Sequence, residues 1–248
     1  MGYPISYYAN STGVSAHKDY DKAFLSALFE LVERDAIAVT WYSKRKPNIL
    51  LDKNFSEDVI YRVKSLKKIN REVRFLDITL DTIPVVLCVI IGNKFPYFVS
   101  GCSANPDLDK AVTKAFNEAE LMFHSWRTVK RNKVKVKKVS SCTDHADFYA
   151  QTPLFKNKNL RWLLGGKVKR FKEIDYSISN LIKKVDPVVI NLNPNNYLPC
   201  DLHVLRVMSD KLIPLTFGYM SEHYQHPRLK ELGLKWAWSF PAPPHFFA

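Results

Sequence analysis

Residues 10–36 read NSTGVSAHKDYDKAFLSALFELVERDA, and the parsing of the whole chain turns on this stretch. Phe24, Leu25, Leu28, Val32 and Ala36 recur at helical spacing, so a helix is expected from Asp19 to about Lys46, where Pro47 forbids its continuation. At about 100 degrees per residue, Ser26, Glu30 and Glu33 fall on one helix face, opposite the apolar stripe, with Arg34 at its edge. Neighbouring carboxylates on a rigid helix suit a hard cation such as magnesium, which takes few protein oxygens and keeps water and phosphate. An adjacent guanidinium suits the phosphates. The same spacing also decorates solvent-facing helices with modest salt bridges, so spacing alone leaves both readings open.

Outward from this helix, Phe55 to Ile69 makes a second, shorter one. The period then changes. Val73 to Thr79 and Pro84 to Ile91 are rich in β-branched residues, and Tyr97 to Ser100 adds a third apolar run, which predicts adjacent strands of one sheet. From Leu108 the helical period returns, with Ala111, Ala115, Ala119, Met122 and Trp126 in a wide stripe suited to lie on that sheet. A polar region with Asp144, His145 and Tyr149 precedes a helix near Ile174 to Lys184, strands at Pro187 to Asn191 and Leu202 to Met208, and a helix near Ser221 to Gly233. The fold class is α+β with α/β-like layers, a mixed β-sheet packed with helices. One domain is expected over residues 1–248, ending in a proline-rich tail at 239–248 that follows a surface or threads a cleft, because its prolines lack donors and fix an extended backbone.

Composition narrows the function classes. With 46% hydrophobic residues and no apolar run near the ~20 residues that span a bilayer, the chain reads as soluble and not membrane-bound. Met1 to Asn10 lacks a basic region followed by a long apolar core, so the cytoplasm is expected. Cys88, Cys102, Cys142 and Cys200 are scattered, and no histidine stands at metal-ligand spacing, which argues against disulfides and zinc. A net charge of +13 attracts polyanions. Its runs, Lys44-Arg45-Lys46, Lys67-Lys68 and Lys130 to Lys138, the last resembling an exposed edge strand, read as solvated faces, and no stacking or helix-turn-helix pattern favours nucleic acid. Asp144 reads as a helix cap beside a packed His145, Gly165-Gly166 as a turn, and Trp236 and Trp238 as anchors for the tail.

The stretch 10–36 resembles a signature of the YcaO family, especially the azoline-forming branch that makes thiazole- and oxazole-modified peptides. Asp77-Ile-Thr79 and Pro84-Val-Val86 look like that family's D-x-T and following P-V strand, and Gly101-Cys-Ser-Ala104 resembles its G-x-x-A turn before a helix that here contains Glu118. Thr143-Asp-His145, Arg206-Val207, Leu212 to Gly218, Arg228-Leu229 and the proline-rich end follow in the family's order. The resemblance implies binding of ATP and Mg2+, with Glu30 and Glu33 at the metal, Ser15, Arg34 and Arg206 at ATP phosphates, and the tail approaching them. It further implies phosphorylation of a peptide amide oxygen while a Cys, Ser or Thr side chain closes an azoline, on a ribosomally made precursor peptide. A leader-peptide-binding or complementing subunit and a homodimer are the implied partners. Three departures set expectations of their own: Lys18 and Lys22 stand where the family pattern has Asn and Glu, Leu121 stands where it has Gln, and the likeness is to the family's C-terminal part, without a preceding metal-site segment. The alternatives are a degenerate YcaO-like scaffold, which keeps the fold without catalysis, and a basic nucleic-acid-binding module.

Overall fold

The computed structural model describes residues 11–51, 55–81, 83–128, 139, 141–153, 162–169, 176–193, 201–217, 226–239 and 242–247. The basic run Lys130 to Lys138 and Cys200 lie outside them. Strand β1 (Val14–His17) leads into α1 (Tyr20–Ser43), which Asp19 caps by accepting the Lys22 N–H. This helix stops short of the expected Lys46, because Lys44 takes a left-handed φ of 50° and returns its N–H to Trp41. Then come β2 (Asn48–Leu50), α2 (Glu57–Lys68), β3 (Arg71–Asp77), β4 (Val85–Gly92), β5 (Phe98–Ala104) and α3 (Leu108–Thr128). The remainder is α4 (Cys142–Gln151), β6 (Val168–Lys169), α5 (Ile178–Val185), β7 (Val188–Asn191), β8 (His203–Met208) and α6 (Pro227–Glu231).

The three strands expected to be adjacent between Val73 and Ser100 are neighbours in one mixed sheet, and a second, smaller sheet accompanies it. A five-stranded sheet runs β5-β4-β3-β2-β6, antiparallel except for the parallel β2–β6 pair, and a three-stranded antiparallel sheet runs β1-β8-β7. The alternation of β4 shows how the layers are made. Val85, Leu87 and Val89 face a core shared with α1, while Val86, Cys88 and Ile90 face a second core shared with α3. A strand buried on both faces reads as a continuous apolar run, and β4 does. The large sheet is therefore sandwiched between helices, as an α+β fold of layered type requires.

The polar region around Asp144 is a helix, α4. Ser141 caps it and Asp144 reciprocates from the third position, so two orphan N–H groups are satisfied by two side chains. His145, one residue further on, is fully buried. Among the described residues the helix expected from Ile174 begins at Ile178, and the last helix spans only Pro227–Glu231.

One buried charge cluster ties distant elements together. Arg228 of α6 donates from Nε and Nη2 to Asp35 of α1 at 3.0 and 2.9 Å, and also contacts Asp81, which Lys184 of α5 meets at 2.5 Å. Asp35 also accepts the Ile213 N–H at 2.8 Å, yet burial pushes its carboxyl up to about 6 despite Arg228. Removing one partner of such a cluster leaves uncompensated buried charge. Arg228→Ala is expected to lose about 3–5 kcal/mol in urea denaturation. Asp58→Ala, which breaks the exposed pair with Arg62, should cost less than about 1 kcal/mol.

Candidate functional site

Glu30 and Glu33 do not face solvent opposite the apolar stripe, as helical spacing predicted. Both are half-buried, because α1 lies between the β1 turn and the outer edge of β5. Glu30 accepts the Gly13 N–H and holds Arg34, whose Nε and Nη2 lie 2.9 Å from its Oε1. Gly13 has φ 72°, and a Cβ there would sit 2.2 Å from the Val207 carbonyl oxygen of β8, so the turn that aims this amide requires glycine.

β5 is the edge strand of the large sheet, and its phase is fixed by the Asn105 N–H bond to the Pro84 oxygen at 3.1 Å. Alternation then turns the amides of Cys102 and Ala104 away from β4. Carboxylates take both. Glu118 of α3 accepts the Cys102 N–H at 2.7 Å, and Glu33 of α1 accepts that of Ala104. Gly101 makes the approach possible: a Cβ there would lie 2.4 Å from the Ala115 oxygen and the Ala119 nitrogen. The Gly101-Cys-Ser-Ala104 segment is thus strand, not turn, and it positions two acids from two helices.

Three carboxylates now share one guanidinium. Burial pushes Glu33 well above the carboxylate range, with the Glu118 and Glu30 charges adding to it and Arg34 opposing. Burial likewise raises Glu118 to about 7, against the Cys102 amide and Arg34. Glu30 is raised by burial against its Arg34 partner. This cluster is short of positive charge. Among the described residues no three acid, histidine or cysteine side chains stand ready to enclose a metal ion. Magnesium needs only one or two protein carboxylates beside phosphate oxygens, so the donor type fits it.

Other predicted positions separate. Ser15 lies opposite Leu205 and Arg206 opposite Val14, so the two side chains leave opposite faces of the small sheet and do not converge from one side. Lys18, Lys22 and Ser26 are exposed. Leu121 is 67% exposed and packs no core.

The tail enters the protein. Four successive carbonyls each accept from a different side chain: Pro243 from Trp41 at 3.0 Å, Pro244 from Tyr149 at 2.5 Å, His245 from His145 at 3.0 Å and Phe246 from Ser100 at 3.2 Å. Trp238 donates to the Trp41 oxygen at 2.6 Å and Trp236 stacks on Tyr42, which makes both tryptophans anchors. Phe246 closes a cavity of about 30 Å³ beside Glu118, Ser100 and Tyr149.

A family profile described as YcaO cyclodehydratase, ATP- and Mg2+-binding, matches residues 4–211. The chain belongs to the YcaO family. Solved structures similar to this YcaO chain include a heterocyclase in complex with substrate and cofactor, with TM-score 0.68 and 20% identity over 90% of this chain and 31% of that one. The E. coli microcin synthetase McbBCD complex with pro-MccB17 bound gives TM-score 0.66 at 15% identity, over 96% and 63%. YcaO from Methanopyrus kandleri bound with AMPPCP and Mg2+ gives 0.63 at 18%, over 95% and 60%. Such likeness establishes the fold, and this YcaO chain spans about a third to three-fifths of their lengths. No curated protein sequence matches it.

Glu118 is a candidate site residue to which the sequence alone gives no role. Its signal was an acid inside the apolar stripe of α3, between Ala115 and Met122. Two outcomes follow from this geometry. Gly101→Ala should cost about 1–3 kcal/mol by forcing α3 off β5, read in urea denaturation. A carboxyl raised to about 7 when folded stabilises fully below its unfolded value near 4.5 and loses that stabilisation as pH rises through 7. Without divalent cations, Glu118 itself should therefore withdraw on the order of 2–3 kcal/mol of stability between pH 5 and 8, read as the difference in pH slope between the unaltered chain and Glu118→Gln in urea denaturation.

Proposed function

We propose that the chain takes part in ATP-dependent activation of peptide backbone amides, the cyclodehydration of Cys, Ser or Thr to azolines during maturation of a ribosomally made peptide. The observation that carries this reading is the meeting of Glu30, Glu33 and Glu118 with a single Arg34 at the β5 edge. ATP supplies a phosphoryl group that makes the amide oxygen a leaving group, and magnesium neutralises the phosphates. The side-chain nucleophile forms its bond to the amide carbon, and the oxygen departs as phosphate, so one water is lost in net terms while ATP becomes ADP.

The residues of this chain divide the work by charge. Glu30 and Glu33 are the carboxylates we assign to magnesium, with Glu118, which shares Arg34 with them, as a third; a cation there would offset the burial and mutual repulsion that raise all three. Arg34, already held by Glu30, is the phosphate contact, and its planar donors suit that role. Ser15 and Arg206, on opposite faces of the small sheet, are assigned separate contacts with ATP and not a shared phosphate. The precursor peptide and a leader-binding or complementing subunit are the partners of this reading.

Calorimetric titration with a non-hydrolysable ATP analogue tests it. Binding should require magnesium, weaken at least tenfold in Glu30→Gln and Glu118→Gln, and strengthen as pH rises through about 7, where Glu118 ionises. Binding indifferent to magnesium and to both substitutions would overturn the assignment. Absence of binding under every condition would favour the degenerate scaffold, a reading in which Lys22 marks the loss of the metal.

A further inference from the structure

On the β2 side of the large sheet, away from the β5 edge, lies a groove independent of the carboxylate site. Strand β2 pairs with β3 only at Leu76 and Asp77, so among the described residues no strand flanks Arg71 to Phe75 on that side. Helix α2 packs across the opening. Ile60, Val63, Lys64 and Lys67 recur at i, i+3, i+4 and i+7 and form one stripe of that helix, while its Val59 and Leu66 are buried in the core. Between this stripe and Val73, Phe75 and Leu50 of the strands is a cavity of about 200 Å³, whose rim reaches solvent at Leu51.

The lining divides by chemistry. Its floor is apolar, and within it Phe55 and Phe75 pack ring against ring at 4.5 Å. Its rim is cationic. Lys64 and Lys67 are exposed, and among the described residues neither meets a carboxylate, whereas Arg74 is already held by Glu72 and the Leu164 carbonyl. Among the described residues no acid lines the cavity. A cavity of about 150 Å³ can hold benzene, so this one has room for a Leu or Phe side chain.

We propose that the groove binds a peptide segment in which an apolar side chain is flanked by carboxylates. The apolar side chain fills the space under α2 and the carboxylates meet Lys64 and Lys67, an anchor with a polar rim. The two chemistries together select this occupant. A bilayer surface cannot enter a recess between helix and sheet. A nucleic acid base needs an open aromatic face, and the two phenylalanines spend theirs on each other. A second copy of this chain carries the same net charge of +13 and is repelled, while an acidic segment is drawn in by that field.

Fluorescence anisotropy of the full chain with a fluorescein-labelled synthetic peptide, a central Leu-Phe pair between two glutamates on each side, tests this. Saturable binding is expected with Kd between about 1 and 100 µM, weakening as salt rises. Replacing Leu-Phe by Ser-Ser in the peptide, or combining Lys64→Glu with Lys67→Glu in the protein, should each raise Kd about tenfold or more. A lysine-flanked peptide should bind the doubly substituted chain better than the unaltered one, a gain that misfolding cannot produce. Lys110→Glu with Lys114→Glu on α3 makes the same change of net charge away from the groove and should alter Kd less than about twofold. Absence of binding up to about 1 mM, equal effects of the two lysine pairs, or indifference to Ser-Ser would overturn the proposal, as would tighter binding by an oligothymidylate of the same charge.

Discussion

The outward amides of β5 are the constraint on which the site depends. An edge strand that is covered by helices must satisfy its spare N–H groups without water, and an unpaired buried amide costs about as much as a lost hydrogen bond. Here the partners are carboxylates from α1 and α3, at Ala104 and Cys102. The choice has two effects that oppose each other. The amides favour the ionised acids, while burial and mutual repulsion favour the neutral ones, and burial prevails. A cation reaching the cluster would relieve the repulsion and leave the amide bonds in place.

The helix α1 works in two directions from adjacent residues. Arg34 serves the carboxylates, and Asp35, about 100 degrees further round, anchors Arg228 and the Ile213 amide. Between Asp35 and Tyr42 every side chain is buried, so the helix is a core element along its second half and amphipathic only near its start. A helix fixed this firmly cannot roll to adjust Glu30 or Glu33. The buried ion cluster therefore supplies direction to the acids as well as cohesion to the fold.

Much of this was legible in the sequence where a local period carried it. The double burial of β4 shows as the run Val85 to Ile91, and the start of α1 shows as Asp19. What escaped depends on partners far along the chain. The inward direction of Glu30 and Glu33 is set by β5, some seventy residues later, since an α1 read alone has no reason to bury its acidic face. The strand β1 is four residues long and exists because β8 pairs with it from nearly two hundred residues away. The helix α4 showed only as its cap, since Asp144 reads as one but Ser141 and Asp144 are also loop formers and leave its length open. The resemblance to YcaO proteins supplied Glu30 and Glu33, but the role of Glu118 needed Gly101 in place beneath it.

The tail packs beside Glu118 through Phe246, between β5 and α4. Phe246 and Phe247 are both almost fully buried, and such side chains contribute about 1.5–3 kcal/mol each, to which four carbonyl hydrogen bonds are added. Ordering the tail's backbone costs about 1–2 kcal/mol per residue, and these contacts offset that cost and hold Phe246 beside the cluster. The cavity it lines beside Glu118, about 30 Å³, has room for water. On the α1–β1 side of the cluster Glu30 meets the Gly13 amide. One and two helical turns back on that side stand exposed Ser26 and Lys22. An exposed ammonium there repels a bare cation and attracts a polyphosphate, so in the proposed reading Lys22 would favour metal and nucleotide that arrive together.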